Sequence, residues 1–355
     1  MKNLGFWHEL KKPIVGLSPM DGVTDYPYRH IQKKYGHPDV VYTEFATVEG
    51  FCRGVEKVLD DFLYDEAQRP IVAQIYGTTP KFFRETATAL CQLGFDGIDI
   101  NMGCPAKSVA HSGAGAALIL TPKLAQQILK ATKAGVGDWQ NGKTVRDCSH
   151  ITQKLTQEIE RRHQQLPKKY QQHDRPIPVT VKTRVGFDIK VIQNWIKTLL
   201  EIEPVAIAIH GRTLKQGYGG TADWEEIGKA VQTAKGSNTM IFGNGDVHSR
   251  QQALEKVKQY SVDGVLIGRS TFGNPWVFQD QEVDIHTSAG VAVEHSQFFE
   301  DIFKHRENYR FLPMRKHLGW YIKGIPNATD IRVQLVQADS AQQVHDILKS
   351  HQLIS

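Results

Sequence analysis

The chain contains 355 residues, carries a formal net charge of +5, and is 40% hydrophobic. Its length suits a barrel of alternating strands and helices, and its hydrophobic share is enough for a core. No apolar run approaches the length of a membrane span, and residues 1–9 lack the features of a signal peptide, so we expect a cytoplasmic protein with no membrane partner. The four cysteines are far apart and form no Cys-x-x-Cys pair, which argues against a disulfide framework and a metal site.

Short β-branched runs alternate with segments of helical period along most of the chain. The alternation predicts a (β/α)8 TIM barrel, with an open doubly wound sheet as the alternative. The predicted strands are residues 13–20, 40–45, 70–76, 97–101, 178–185, 206–210, 240–243 and 264–268. The predicted helices between them are residues 25–35, 80–93, 122–133, 190–202, 224–234 and 249–260.

One cysteine follows the fourth predicted strand in a rigid setting. Residues 101–107 read Asn-Met-Gly-Cys-Pro-Ala-Lys. Gly103 permits a turn that most residues cannot make, and Pro105 fixes the backbone just after the thiol. On these grounds Cys104 could be a nucleophile, a metal ligand or a proton donor.

Polar side chains gather at the carboxyl ends of the eight predicted strands, where barrel enzymes place their chemistry. Any one of them alone could be an ordinary surface residue, but their shared position predicts a catalytic face. In chain order they are Ser18, Asp21, Glu44, Gln74, Asn101, Cys104, Lys182, Arg184, His210, Arg212, Asn244, Asp246 and Arg269.

Two glycine-containing loops predict a phosphate site at the same face. Residues 243–246 follow the seventh strand and residues 268–270 follow the eighth, which is the usual phosphate position in such barrels. Glycine lets backbone N–H groups approach an anion, and Arg269 can bind two phosphate oxygens. Lys182 lies within a strand and could balance an anionic ring or phosphate. The glycine-rich segment 113–117 follows a loop, so it predicts a turn and no Rossmann domain.

Together these segments resemble the bacterial tRNA-dihydrouridine synthases. The match runs in the same order from about residue 13 to about residue 278, and its most specific parts are residues 101–105 and 210–213. The resemblance implies an oxidoreductase that uses FMN and NADPH to reduce the C5=C6 bond of specific uridines in tRNA to 5,6-dihydrouridine. The segments that carry it are residues 18–25, 101–107, 181–184, 209–213, 243–246 and 267–269.

The resemblance also implies a role for each matched residue. Cys104 matches the proton donor to uracil C5, while hydride from the flavin reaches C6. A thiol with a pKa of about 8.5 is protonated at neutral pH and is a competent acid. Asp21 replaces a residue that is often small, so we expect its backbone to make the flavin contact. The implied FMN-binding residues are Pro19, Met20, Asp21, Gln74, Lys182, His210, Asn244, Gly245, Asp246, Gly268 and Arg269, and the implied uracil neighbours are Asn101, Arg184 and Lys107.

Residues 286–355 predict a smaller, all-helical RNA-binding domain after a catalytic barrel that spans residues 1–285. A helix is predicted at 295–310. Alone, the charges of segment 304–323 would fit a solvated face and its aromatic residues a small core, but beside this barrel RNA docking is the favoured interpretation. The segment's basic residues are Lys304, Arg306, Arg310, Arg315, Lys316 and Lys323, and its aromatic residues are Tyr309, Phe311, Trp320 and Tyr321.

A polar stretch at 134–175 extends the barrel before the fifth strand. It predicts a helix at 149–165, with Ser149 as a possible cap and Ile151, Leu155 and Ile159 along one face. We interpret its basic residues as a candidate added RNA contact, with a solvated excursion as the alternative. They are Lys143, Arg146, Lys154, Arg161, Arg162, Lys168, Lys169 and Arg175.

Other functions stay open at this point. They are a flavin oxidoreductase for a free pyrimidine or for ribosomal RNA uridine, a non-flavin aldolase or isomerase with Lys182 as Schiff base, and an RNA-binding protein without catalysis. The sequence does not identify the target uridine and implies no protein partner.

Overall fold

A computed structural model describes residues 4–355, apart from the side chains of Glu56 and Lys57. Within this range, eight parallel strands form one sheet in the order β1-β8-β7-β6-β5-β4-β3-β2. The strands are β1 (Ile14–Leu17), β2 (Val41–Thr47), β3 (Ile71–Tyr76), β4 (Gly97–Met102), β5 (Val179–Arg184), β6 (Ala206–His210), β7 (Met240–Asn244) and β8 (Gly264–Ile267).

The sheet closes on itself between its first and last members. The backbone N–H of Leu17 donates to the carbonyl of Val40 at 2.9 Å, and that of Asp39 donates to the carbonyl of Val15 at 3.0 Å. Because β1 also pairs with β8, these bonds complete a barrel. The predicted (β/α)8 barrel with a helical carboxyl-terminal part is confirmed.

Helices cover the outside of the barrel and form the carboxyl-terminal part. Within the described chain they are α1 (Tyr26–Gly36), α2 (Val48–Cys52), α3 (Glu56–Asp60), α4 (Pro80–Gln92), α5 (Lys107–His111), α6 (Pro122–Gln140), α7 (Gln153–Gln165), α8 (Ile192–Leu200), α9 (Trp224–Ala234), α10 (Arg250–Tyr260), α11 (Ile285–Phe303), α12 (Leu312–Tyr321), α13 (Ala328–Leu335) and α14 (Ala341–Ser350). No helix of residues 4–355 has the length and apolar character needed to cross a membrane.

The amino-terminal half of the barrel interior is filled by apolar side chains. Ile14, Val40, Phe242 and Leu266 form one buried cluster there, together with Trp7 from the preceding segment. The rings of Trp7 and Phe242 lie 5.2 Å apart. This packing fills the lower barrel, so space for chemistry remains at the carboxyl ends of the strands.

The carboxyl-terminal helices share a second hydrophobic core that reaches the barrel. Phe299, Leu318 and Leu348 pack with Ile31 of α1 and with Trp276. Helix α11 begins at Ile285, ahead of the predicted start at residue 295, since the Asp284 side chain caps it by accepting the N–H of Thr287 at 2.7 Å. It ends at Phe303, before the predicted end at residue 310.

The stretch at 134–175 packs against the outside of the barrel. Helix α6 continues into it as far as Gln140, because Gly135, Val136 and Trp139 extend the buried face. The helix predicted at 149–165 is α7, which begins at Gln153, four residues later than expected, and ends at Gln165. Thr152 caps it, whereas the predicted cap Ser149 donates to Glu85.

Most basic side chains of this stretch have acidic partners within the protein. At least five of the eight form such pairs, so the charge that suggested an RNA contact is largely neutralised. The pairs are Lys143 with Asp138, Arg146 with Glu160, Arg161 and Arg162 with Glu158, and Arg175 with Asp96.

Candidate active site

The strand register brings the predicted polar residues to one end of the barrel. Asn101 is paired with Lys182, and His210 is paired with both Arg184 and Asn244. A cavity of about 750 Å³ opens at this end. The predicted site residues that line it are Pro19, Met20, Asp21, Asn101, Cys104, Lys182, Arg184, His210, Asn244, Gly245, Asp246, Gly268 and Arg269.

Two of the residues implied by the family resemblance, Gln74 and Lys107, lie outside this lining, as do Glu44 and Arg212 of the predicted catalytic face. Gln74 is fully buried beneath the cavity, where its side chain bonds to Asp99 and Asn101. Lys107 is exposed at the first position of α5. Gln74 therefore supports the site from below in this structure, and Lys107 stands at its outer edge.

The loop that carries Cys104 is held by hydrogen bonds from side chains on two strands. Asn101 Oδ1 accepts the backbone N–H groups of Gly103 and Cys104, at 3.0 and 2.8 Å. Arg184 Nε donates to the carbonyl of Gly103 at 2.6 Å. Burial raises the pKa of the Cys104 thiol, so the group is protonated at neutral pH. The arrangement presents a thiol at a fixed place on the cavity wall.

The glycine-rich turn at 113–117 braces this loop. Gly115 has a φ of +60°, and a Cβ there would lie 3.2 Å from Cys104 Cβ. The next residue, Ala116, donates its N–H to the carbonyl of Cys104 at 3.4 Å. The predicted turn is present at Gly113 and leads into a 3-10 helix over Gly115–Leu120, whose close packing onto the cysteine loop is a contact that sequence reasoning missed.

Basic and neutral donors share one side of the cavity. Lys182 Nζ donates to Asn244 Oδ1 at 3.1 Å, and burial lowers the pKa of Lys182 to about 8. Burial also lowers the pKa of His210 to about 2, with smaller effects from Lys182, Arg184 and nearby arginines, so the imidazole is neutral. Its Nδ1 is buried and has no hydrogen-bond partner in the described protein. This side of the cavity thus offers donors to an anionic or carbonyl-rich ligand.

The loop after β7 supplies a close backbone approach for an anion. Gly245 has a φ of +120°, and a Cβ there would lie 2.7 Å from Ala222 Cβ. The next residue, Asp246, uses its carboxylate to accept from Arg212 and Arg269 and from the N–H of Ala222. Any anion contact from Asp246 therefore falls to its backbone, while its side chain orients the arginines.

Sequence reasoning missed several residues of the mouth. Tyr218 is 71% exposed and lies over the Arg269 guanidinium, 5.4 Å from ring centroid to carbon. His248 also lines the cavity and bonds to Ser270 through Nδ1 at 3.0 Å. The glycines at 217, 219 and 220 beside Tyr218 were a usable signal for a functional loop. Among the side chains that the structure describes, no group of three or more His, Cys, Asp or Glu could hold a metal ion.

These features define a (β/α)8-barrel protein whose cavity gathers cationic side chains beside a protonated thiol. Residues 16–147 and 151–354 match the family model described as Dihydrouridine synthase (Dus). A probable tRNA-dihydrouridine synthase of Staphylococcus aureus strain COL is 34% identical over 351 residues, which cover 97% of this chain and 94% of that protein. The probable tRNA-dihydrouridine synthase 2 of Bacillus subtilis strain 168 is 31% identical over 350 residues, covering 97% and 95%.

The chain belongs to the dihydrouridine synthase family, and the resemblance inferred from the sequence is confirmed. Among solved structures, the old yellow enzyme homologue from Zymomonas mobilis superposes with a TM-score of 0.44 at 11% identity, covering 74% of this chain and 86% of that one. That likeness is too distant to inform the function.

Proposed function

We propose that the protein reduces specific uridines of tRNA to 5,6-dihydrouridine, with FMN as cofactor and NADPH as reductant. The carrying observation is the Cys104 thiol, which lies on the wall of a cavity that also holds a cluster of cationic side chains. Membership of the dihydrouridine synthase family supports the reaction, and the names of the bacterial relatives support tRNA as the substrate.

The residues of the cavity suit FMN in charge and in hydrogen bonding. The unpartnered Nδ1 of His210 and the ammonium of Lys182 provide donors for the polar edge of a ring or for a hydroxylated chain. Arg269 and the backbone of Gly245 and Gly268 would hold a phosphate. When bound, FMN supplies the hydride that adds to C6 of the uracil.

Cys104 supplies the proton that completes the reduction. Its S–H bond breaks as a new C–H bond forms at uracil C5, so that hydride and proton together saturate the C5=C6 bond. Burial and the charge of Asp21 destabilise the resulting thiolate, while Arg184 and Lys182 oppose this effect, so the sulfur readily regains a proton from water. Asn101 and Arg184 hold the loop that sets the thiol's position, and each is a candidate uracil neighbour.

The carboxyl-terminal helices are the proposed RNA-docking part, with a narrower set of contacts than the sequence suggested. Phe311 and Tyr321 are buried in the helical core, and Trp320 stacks on Phe272. These aromatic residues therefore pack the protein and are unsuited to stacking on bases. The exposed basic side chains Arg310, Lys316 and Lys323 are the proposed phosphate contacts.

The function is tested with tRNA lacking dihydrouridine, incubated with purified protein, FMN and NADPH, and analysed by mass spectrometry. We expect dihydrouridine in tRNA, and we expect little product from ribosomal RNA or free uridine. Product from free uridine at a comparable rate would replace the proposal with a small-molecule reductase. Absence of product from every substrate, with FMN bound, would reject uridine reduction.

A further inference from the structure

A hydrogen-bond chain begins beneath the cavity at a carboxylate. Asp99 lies in β4, is 1% exposed, and is not among the residues that line the cavity. Its Oδ1 accepts from Thr180 Oγ1 at 2.6 Å, and its Oδ2 accepts from Gln74 Nε2 at 2.7 Å. Lys182 and Tyr42 are the other titratable groups that interact electrostatically with it. Burial raises the pKa of Asp99 to about 6, so the carboxylate is ionised above neutral pH.

The chain continues upward to the loop of the thiol. Gln74 Oε1 accepts from Asn101 Nδ2 at 2.9 Å. Asn101 Oδ1 then accepts the N–H groups of Gly103 and Cys104. Two amide side chains, those of Gln74 and Asn101, therefore link a buried charge to the backbone of the proposed proton donor.

The chemistry of its two ends gives this chain a single direction. An ionised carboxylate only accepts hydrogen bonds, so Gln74 must turn its NH₂ group toward Asp99 and its oxygen toward Asn101. Asn101 must then turn its oxygen toward the backbone N–H groups of the loop. If the chain were reversed, the NH₂ group of Asn101 would face those N–H groups, and two sets of buried donors would oppose each other.

We propose that Asp99 is a positioning residue for uridine reduction, which sets the orientation of Gln74 and Asn101 and thereby holds the Cys104 loop in its reactive place. The assignment rests on the proposed function, since the loop's position matters for catalysis only if Cys104 donates the proton. Asp99 does not line the cavity where FMN and the target uridine are proposed to bind, so it acts entirely through the side-chain amides of Gln74 and Asn101.

A double-mutant cycle of Asp99→Asn and Thr180→Val tests the direction of the chain. Thr180→Val alone leaves Oδ2 of the carboxylate accepting from Gln74. Asp99→Asn alone keeps the direction, because its oxygen can face Gln74 while its NH₂ group donates to the Thr180 hydroxyl. In the double variant, either that NH₂ group is left without an acceptor or it turns to Gln74 Oε1 and reverses the chain, so the preference for one direction is weakened.

We expect strongly non-additive effects in this cycle. Amide hydrogen exchange at Gly103 and Cys104 should change little in either single variant and become about ten-fold faster, or more, in the double variant. For tRNA, kcat should fall by a similar factor in the double variant while KM stays constant. Additive changes in exchange, or coupled exchange without a coupled loss of kcat, would overturn the assignment.

A second variant keeps the test decisive if the double variant fails to fold. Gln74→Glu places two carboxyl groups side by side, and they must share a proton to remain bonded. Raising the pH removes that shared proton and breaks the chain. The rate of amide exchange at Gly103 and Cys104, corrected for its intrinsic pH dependence, should therefore rise with pH in Gln74→Glu and stay level in the wild-type protein. A flat profile in both would reject the chain. The two proposals can also fail separately. If exchange is coupled in the mutant cycle but the wild-type protein reduces no uridine, the hydrogen-bond chain is supported and the proposed function is rejected.

Discussion

Arg212 and Asp246 form a two-point ion pair at the mouth of the barrel. Arg212 Nη1 donates to Oδ1 at 2.9 Å, and Nη2 donates to Oδ2 at 2.6 Å. The arginine is 2% exposed, and the same carboxylate accepts from Arg269 at 3.0 Å. One acidic side chain thus fixes the direction of two cations that belong to different loops, in a geometry that makes such pairs strong.

Asp246→Ala is expected to weaken FMN binding, even though it removes a negative charge from a phosphate site. The substitution leaves Arg212 buried without its partner and frees Arg269, and losing such a pair costs on the order of 2 kcal/mol or more. If the whole cost falls on binding, this corresponds to an affinity loss of about 30-fold, measured by quenching of FMN fluorescence. Asp301→Ala, which breaks the exposed pair with Lys304, is the control and should bind FMN normally. Tighter FMN binding in Asp246→Ala would show that repulsion between the carboxylate and the phosphate outweighs the effect of its pairing with Arg212 and Arg269.

Cys104→Ala is expected to lose uridine reduction while keeping the cofactor. Removing a general acid costs about 10² to 10⁴-fold in rate, and a buried thiol with a raised pKa is fully protonated for that role. The measurements are dihydrouridine formed per minute in tRNA, the flavin absorbance of the purified protein, and NADPH oxidation. Cys148→Ala is the matched control, because Cys148 lies on the outer stretch against Glu85, and it should retain full activity. Full activity in Cys104→Ala would remove the thiol from the mechanism.

The barrel and most of its cavity could be predicted because both depend on local sequence patterns. Runs such as 206–209 are apolar on both faces, which identifies parallel strands covered by helices. In such a barrel every strand ends at the same edge, so residues that follow the strands must meet. Lys182, His210 and Asn244 come together for this reason. The register pairs His210 with Asn244, and the side chain of Lys182 donates to Asn244.

Depth within the barrel and pairing between distant segments could not be read from the sequence. Alternation along β3 indicates that Gln74 faces inward, but the stagger of the strands decides whether it reaches the cavity or lies below it. Here it lies level with Asp99 of the next strand. The acidic partners of the charges at 134–175 could not be predicted for a related reason, since a partner such as Asp96 for Arg175 becomes visible only when the chain is folded.

FMN affinity is expected to fall as the pH rises through about 8, because of Lys182. Burial lowers the pKa of this lysine from 10.5 to about 8, so the free site loses its positive charge above that value, and an anion must then bind together with a proton. Affinity should drop by at most about ten-fold per pH unit between about pH 8 and pH 9.5. The contribution of Lys182 to the free energy of unfolding should rise with pH over the same range. Between about pH 8 and 9.5 the lysine is largely neutral in the folded protein but still protonated in the unfolded chain, so a higher pH favours folding.

Comparison of two lysine variants isolates this effect. Lys182→Met should bind FMN weakly and with little dependence on pH in that range. Lys190→Met, which breaks the exposed pair with Asp223, should follow the wild-type curve. Titrations monitored by flavin fluorescence give both curves. A wild-type affinity that stays constant across this range would mean that Lys182 does not face the anion.

Trp320→Ala is expected to uncouple the helical part from the mouth of the barrel. Trp320 of α12 stacks on Phe272, with ring centroids 3.9 Å apart and planes 8° from parallel, and Phe272 lines the cavity. Loss of this contact should cost about 2 kcal/mol of stability and displace the exposed Lys316 of α12 relative to the thiol. Phe298→Ala is the matched control, because Phe298 joins the same two parts through a 4.2 Å stack on His30, while neither ring lines the cavity. Both variants should lower Tm similarly, but Trp320→Ala should raise KM for tRNA more, with NADPH oxidation unchanged. Equal KM values in the two variants would limit the Trp320 stack to a stabilising role.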